Sequence, residues 1–272
     1  MGSVFDRIGR NVARYLERPT PGYEPFTPSD PTALSASLKP GDVLLVEGNN
    51  RISGVIKYLT QSTWSHAALY VGKIDGKAGP DGEAHVMVEA NIEDGVVSVP
   101  LSKYEQYHTR ICRPIGLKAE DCTKVCSYAI ERIGLDYDLK NITDLMRYLM
   151  PLPVPQRWRR RMMSLGSGDP TRMICSALIA QAFEAVRYPI LPKVTRMESR
   201  AARRDILEIR HSSLYAPRDF DISPYFAVVK PTIENGFDYR GLHWADLPRR
   251  TLAAYEDSSL VPDEQPAFTA IP

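Results

Sequence analysis

A chain of 272 residues with an ordinary apolar fraction of 43% is long enough to bury a sizeable core, either as one enlarged domain or as one domain with extensions. Its 34 basic and 33 acidic residues leave a net charge of +1, which argues against a dedicated nucleic-acid binder, and neither zinc-finger nor Gly-rich phosphate-loop spacing is present. The cysteines Cys112, Cys122, Cys126 and Cys175 form no paired cluster with histidines, which argues against a structural zinc site or a disulfide framework and fits a reducing compartment.

In chain order, residues 3–17 place Val4, Phe5, Ile8, Val12 and Leu16 on one helical face, with Arg7, Arg10 and Arg14 elsewhere. Such a helix either packs on the domain or lies on an anionic membrane. Pro19 ends it, and Pro21 to Pro31 reads as an extended connector, so residues 1–37 form a helix-and-connector unit. Strands are expected near Val43–Val46, Ala67–Val71, Val86–Glu89 and Thr109–Arg113. Helices are expected over Lys118–Ile133, Asn141–Met150 and Cys175–Val186, and a late strand over Tyr225–Lys230 closes a domain spanning 38–231. Within it, a basic excursion at 150–170 carries Arg157, Trp158, Arg159, Arg160 and Arg161; it is a solvated segment or a contact for lipid phosphate or an acidic partner. Residues 232–272 read as a C-terminal extension anchored by Phe237, Tyr239 and Trp244. No apolar run approaches the ~20 residues that span a bilayer. The expectation is a cytoplasmic chain without metal or cofactor, with peripheral contact to the inner membrane through residues 3–17 and 156–162 as an open alternative.

The chemistry-bearing residues are few. Cys175 opens an apolar, helix-forming run, Met173-Ile174-Cys175-Ser176-Ala177-Leu178-Ile179. Unpaired backbone N–H groups at a helix start favour a thiolate and can hold negative charge on a substrate oxygen. A buried core cysteine is the bland alternative. Far upstream, His66 heads the strand-like run His66-Ala67-Ala68-Leu69-Tyr70-Val71, and Glu89 lies near the end of the next one. If the two strands pair as an antiparallel hairpin, Glu89 and His66 fall side by side. Glu89 would then orient the imidazole, and His66 would take the Cys175 proton. Asn91 and Asp42 are the alternatives for the orienting group.

Three segments carry a family resemblance: Leu38-Lys39-Pro40-Gly41-Asp42-Val43-Leu44-Leu45, Thr60-Gln61-Ser62-Thr63-Trp64-Ser65-His66, and Ile174-Cys175-Ser176-Ala177-Leu178-Ile179. With them the chain resembles the permuted papain-like, NlpC/P60-related cysteine hydrolases of the YiiX type, and looks especially like the bacterial lipo-like proteins. The order His66, Glu89, Cys175 matches the circularly permuted branch, in which the histidine precedes the cysteine. The resemblance implies an α+β fold with a small antiparallel sheet packed against helices. It also points to Tyr137, in Gly134-Leu135-Asp136-Tyr137-Asp138, as an oxyanion donor; a packing tyrosine is the alternative. The implied function is a thiol hydrolase of an amide or ester in a small-molecule, peptide or lipid substrate. A lipid acyltransferase, thioesterase or phospholipase, and a non-catalytic binding or membrane-adaptor module, stand beside it. A groove with Cys175 and His66 on opposing walls is expected, with the 150–170 excursion at its mouth.

Overall fold

The computed structural model describes residues 30–91, 94–135, 174–196, 205–208, 212 and 215–234. The expected helices at 3–17 and Asn141–Met150, the basic excursion, Tyr137 and nearly all of the C-terminal extension lie outside the described residues.

The first element among the described residues is helix α1 (Pro31–Ser37), where the prolines suggest a connector. Asp30 explains the difference: its carboxylate accepts from the Thr32 N–H at 2.9 Å, and Pro31 at the first helical position brings a pre-set φ and no N–H to leave unsatisfied. Strand β1 (Val43–Val46) follows, and then a helix without a counterpart in the expected elements, α2 (Arg51–Thr60). Asn50 caps it by accepting from the Ser53 N–H at 2.8 Å, and Gln61 ends it in the left-handed region with φ 49°.

Strands β2 (His66–Tyr70), β3 (Met87–Asn91) and β4 (Gly95–Val99) come next, then a 3-10 turn (Leu101–Tyr104) and β5 (Thr109–Pro114). Helices α3 (Ala119–Ile130) and α4 (Ile174–Ala185) precede a separate hairpin of β6 (Lys193–Arg196) and β7 (Asp205–Glu208). The described part closes with α5 (Pro217–Asp221), β8 (Phe226–Val229) and α6 (Pro231–Glu234).

Six strands form one sheet in the order β4-β3-β2-β1-β5-β8, and every neighbouring pair is antiparallel. All four residues of β1 are buried, which a central strand covered on both faces requires. One face carries Val43, Leu45, Ala67, Leu69, Val88 and Ala90, packed with Val125 and Ala129 of α3 and Leu178, Ile179 and Phe183 of α4. The opposite face carries Leu44, Val46, Ala68, Met87 and Ile111, packed with Leu34, Leu38 and Tyr104. The arrangement is α+β, with the six-stranded antiparallel sheet between helical and turn layers.

Candidate active site

His66 is the first residue of β2, beside Val46 of β1, and Ser65 just before it donates its N–H to the Val46 carbonyl at 3.1 Å. The pairing of β2 with β3 sets Leu69 opposite Val88 and Tyr70 opposite Met87, so alternation puts His66 and Glu89 on one face. There the His66 Nε2 and Glu89 Oε2 lie 2.8 Å apart. Because an ionised carboxylate only accepts, that contact assigns the Nε2 proton to the ring. The Cys175 side chain, in the first turn of α4, lies close enough to the same ring to act on it, and Nδ1 is the nitrogen left to face it. The structure thus brings together three residues from β2, β3 and α4 that are far apart in sequence.

Glu89 is only 1% exposed, and its two oxygens are shared among three donors. The Tyr104 hydroxyl joins His66 on Oε2, and the Lys103 ammonium takes Oε1. Burial by itself would raise the carboxyl pKa, but the charges and hydrogen bonds of His66 and Lys103 outweigh it and hold the group well below the usual carboxylate range. Burial likewise would lower the His66 pKa; Glu89 and Cys175, by charge and by hydrogen bond, instead push it up to about 10. Tyr104 moves the other way from a donor that ionises: burial first, then the Glu89 charge, raise its phenol well above the ordinary value and keep it protonated.

Each alternative orienting group has other partners. Asn91 accepts from the Asp94 N–H at 2.7 Å and shapes the β3–β4 turn. Asp42 is committed to Arg113, which reaches its two oxygens at 2.9 and 2.7 Å, and to the Lys39 N–H at 2.9 Å. The register explains it, since Val43 opposite Cys112 sets Asp42 beside Arg113.

Lys103 and Tyr104 are the members that sequence reasoning missed. A single 3-10 turn has no repeat to detect, and their relation to Glu89 depends on β4 pairing with β3 and delivering the turn there. Two further contacts support His66 and Cys175. The Trp64 indole donates to Asp221 at 3.0 Å, and Arg110 binds the same carboxylate at 2.7 and 2.9 Å while lying over the Trp64 ring. Together they fix the segment that enters His66. On α4, the wholly buried Ser176 next to the cysteine donates to the Tyr215 carbonyl at 2.5 Å and anchors the start of that helix. Among the described residues no group of His, Cys, Asp and Glu has the arrangement of a metal site.

Part of the chain is similar to a known family. Residues 37–148 match the family described as permuted papain-like amidase enzyme, YaeF/YiiX, C92. The match contains His66, Glu89, Lys103 and Tyr104 and ends before Cys175. A solved structure titled "Crystal structure of metalloprotein yiiX from Escherichia coli O157:H7, DUF1105" is similar at 15% identity and a TM-score of 0.42, over 71% of this chain and 96% of that one. No curated protein matches this sequence. The fold is α+β, and the part of the chain that carries His66 and Glu89 is similar to that amidase family.

Proposed function

We propose that this chain is a permuted papain-like protein of the YiiX type and a thiol hydrolase of amide bonds, with Cys175 as nucleophile, His66 as general base and acid, and Glu89 as the group that orients His66. The observation that carries the reading is a single imidazole engaged on two sides, by Glu89 at 2.8 Å through Nε2 and by the Cys175 side chain. His66 takes the thiol proton, and the sulfur attacks the substrate carbonyl carbon. When the tetrahedral intermediate collapses, the bond from carbon to nitrogen breaks and the His66 proton passes to the departing amine. Water, deprotonated by the same ring, then releases the acid from the thioester and restores the thiol. An ester substrate follows the same steps with an alcohol as leaving group.

The raised His66 pKa fits a ring that keeps a proton between a carboxylate and a sulfur until the leaving group requires it. The amide preference follows the amidase description of the matching family. The purified full chain, incubated with acyl-peptide amides and with p-nitrophenyl esters, should show a transient acyl mass on Cys175. Cys175→Ala should abolish both the adduct and turnover. Equal hydrolysis by the Cys175→Ala protein would remove the thiol from the reaction, and an acyl group passed to an added amine in preference to water would make the protein a transferase.

A further inference from the structure

Resting on the hydrolase reading above, we propose that Lys103 is a positioning residue that acts through Glu89: its ammonium, held on Oε1 opposite the imidazole, offsets the carboxylate so that the site carries two cations and two anions when the thiol is ionised. The 3-10 turn gives two neighbouring residues different duties on one carboxylate. Tyr104, 1% exposed, shares Oε2 with His66 and has no charge to contribute. Lys103 supplies charge from a side chain that is 42% exposed, so its own desolvation is partial while its partner is almost wholly buried. A surface ion pair usually contributes little because water screens both members. Here one member is sealed off and sits on the catalytic ring, so the field of the other is transmitted. The turn is secured independently, by the Ser102 N–H donating to Glu83 at 3.2 Å and the Glu105 N–H to the Ser102 carbonyl at 3.2 Å. Loss of the Lys103 charge therefore leaves Glu89 gripped by Tyr104 and His66.

The groups facing this cluster set the sign of the effect. Glu89 on β3 meets His66 from β2 and Lys103 and Tyr104 from the turn, His66 meets Cys175 from α4, and Tyr107 lies close enough to Tyr104 to be felt by it. Removing one cation from this set favours the protonated form of both the thiol and the ring.

In Lys103→Met, the pH at which Cys175 alkylation by iodoacetamide reaches half its maximum should move up, on the order of one pH unit for a unit charge several ångströms away. Lys103→Arg, which keeps the charge, should follow the unsubstituted protein. In the Cys175→Ala background the His66 imidazole midpoint, followed by NMR, should also move up when Lys103→Met is added. If Lys103 only held the turn in place, Glu89 would drift from the ring and that midpoint would fall. A fall, or no change in a folded variant, overturns the proposal. Lys103→Gln serves the same comparison if the methionine variant does not fold. If His66→Ala leaves Cys175 alkylation unaltered, the hydrolase reading fails, and the imidazole midpoint still decides the role of Lys103.

Discussion

Glu89→Gln should be both destabilising and nearly inactive, and the two losses have different physical origins. The carboxylate is 1% exposed and accepts from His66, Lys103 and Tyr104. A glutamine retains one acceptor oxygen and turns an NH2 group toward donors. Whichever way the amide is flipped, at least one of the three loses its acceptor. Removing one member of a buried ion pair costs about 3–5 kcal/mol. The surviving hydrogen bonds and the partial exposure of Lys103 place this case near the lower end, about 3 kcal/mol. For a domain of this size that is a melting-temperature loss of roughly 6–12 °C.

The loss should depend on pH in a defined way. His66, raised to about 10 in the folded protein, contributes fully below its ordinary 6.5 and loses that contribution as pH rises through about 10. Glu89, depressed, contributes above its ordinary 4.5 and loses its contribution as pH falls below that value toward the lower folded one. The gap between the two proteins should therefore be widest between pH 4.5 and 6.5 and narrow toward pH 10. Turnover falls for another reason. The glutamine NH2 can donate to Nε2, which moves the ring proton to Nδ1, where it faces the sulfur and cannot accept from it. A comparable tautomer error in a serine protease triad costs about 10⁴-fold in kcat. Differential scanning fluorimetry from pH 4 to 10, with turnover measured beside it, tests both parts. Equal melting temperatures throughout, or turnover within about threefold of the parent, would refute the reasoning.

Two further outcomes are expected. Cys175 should be alkylated by iodoacetamide near neutral pH faster than the other thiols, because burial first raises the pKa of Cys112 and of Cys122 and carries Cys126 up to about 12, while Cys175 faces the His66 imidazole; peptide mapping with equal labelling of all four would contradict this. Asp42→Ala should cost about 3–5 kcal/mol in denaturant unfolding by leaving the Arg113 charge without its carboxylate and the Lys39 N–H without its acceptor, yet leave the His66-dependent labelling of Cys175 unchanged, since the pair lies at the other end of the β1–β2 ladder from the ring.

How much of this was legible before the structure depends on the range of the signal. The run Val43-Leu44-Leu45-Val46, the strand-like run after His66 and the apolar stretch after Cys175 are local patterns, and β1, β2 and α4 follow them to within a residue. Helix α2 was hidden because Gly54 and β-branched residues lower its propensity, although Asn50 offered a capping signal. Strand β4 had a readable cue in Asp94-Gly95 followed by a valine-rich run. Assigning Asp42 was a different kind of problem. Its Pro-Gly-Asp setting says that the chain turns there, while its partner Arg113 is set by the register of β1 on β5. The pairwise nature of that register is invisible to a reading that proceeds one segment at a time.

The same reasoning shows why Glu89 differs from the strand-end carboxylate that the sequence suggests. Were β3 an edge strand, its end would be solvated and the carboxylate would exchange partners with water. With β4 paired beyond it and the following turn folded back, the carboxylate is enclosed, and both of its oxygens are engaged, Oε1 by Lys103 and Oε2 by Tyr104 beside His66. An enclosed and fully engaged carboxylate has one orientation, so the imidazole against it has one as well. The sulfur arrives by a separate route, on a helix held to the sheet by Leu178, Ile179 and Phe183 and at its start by Ser176 on the Tyr215 carbonyl. The distance between ring and sulfur is therefore set by the packing of α4 on the sheet. Close-packed cores hold such distances to fractions of an ångström, and a shift of about 1 Å in a reacting pair can cost about 10²-fold in rate. In this fold the apolar residues that look remote from the chemistry determine whether His66 and Cys175 meet.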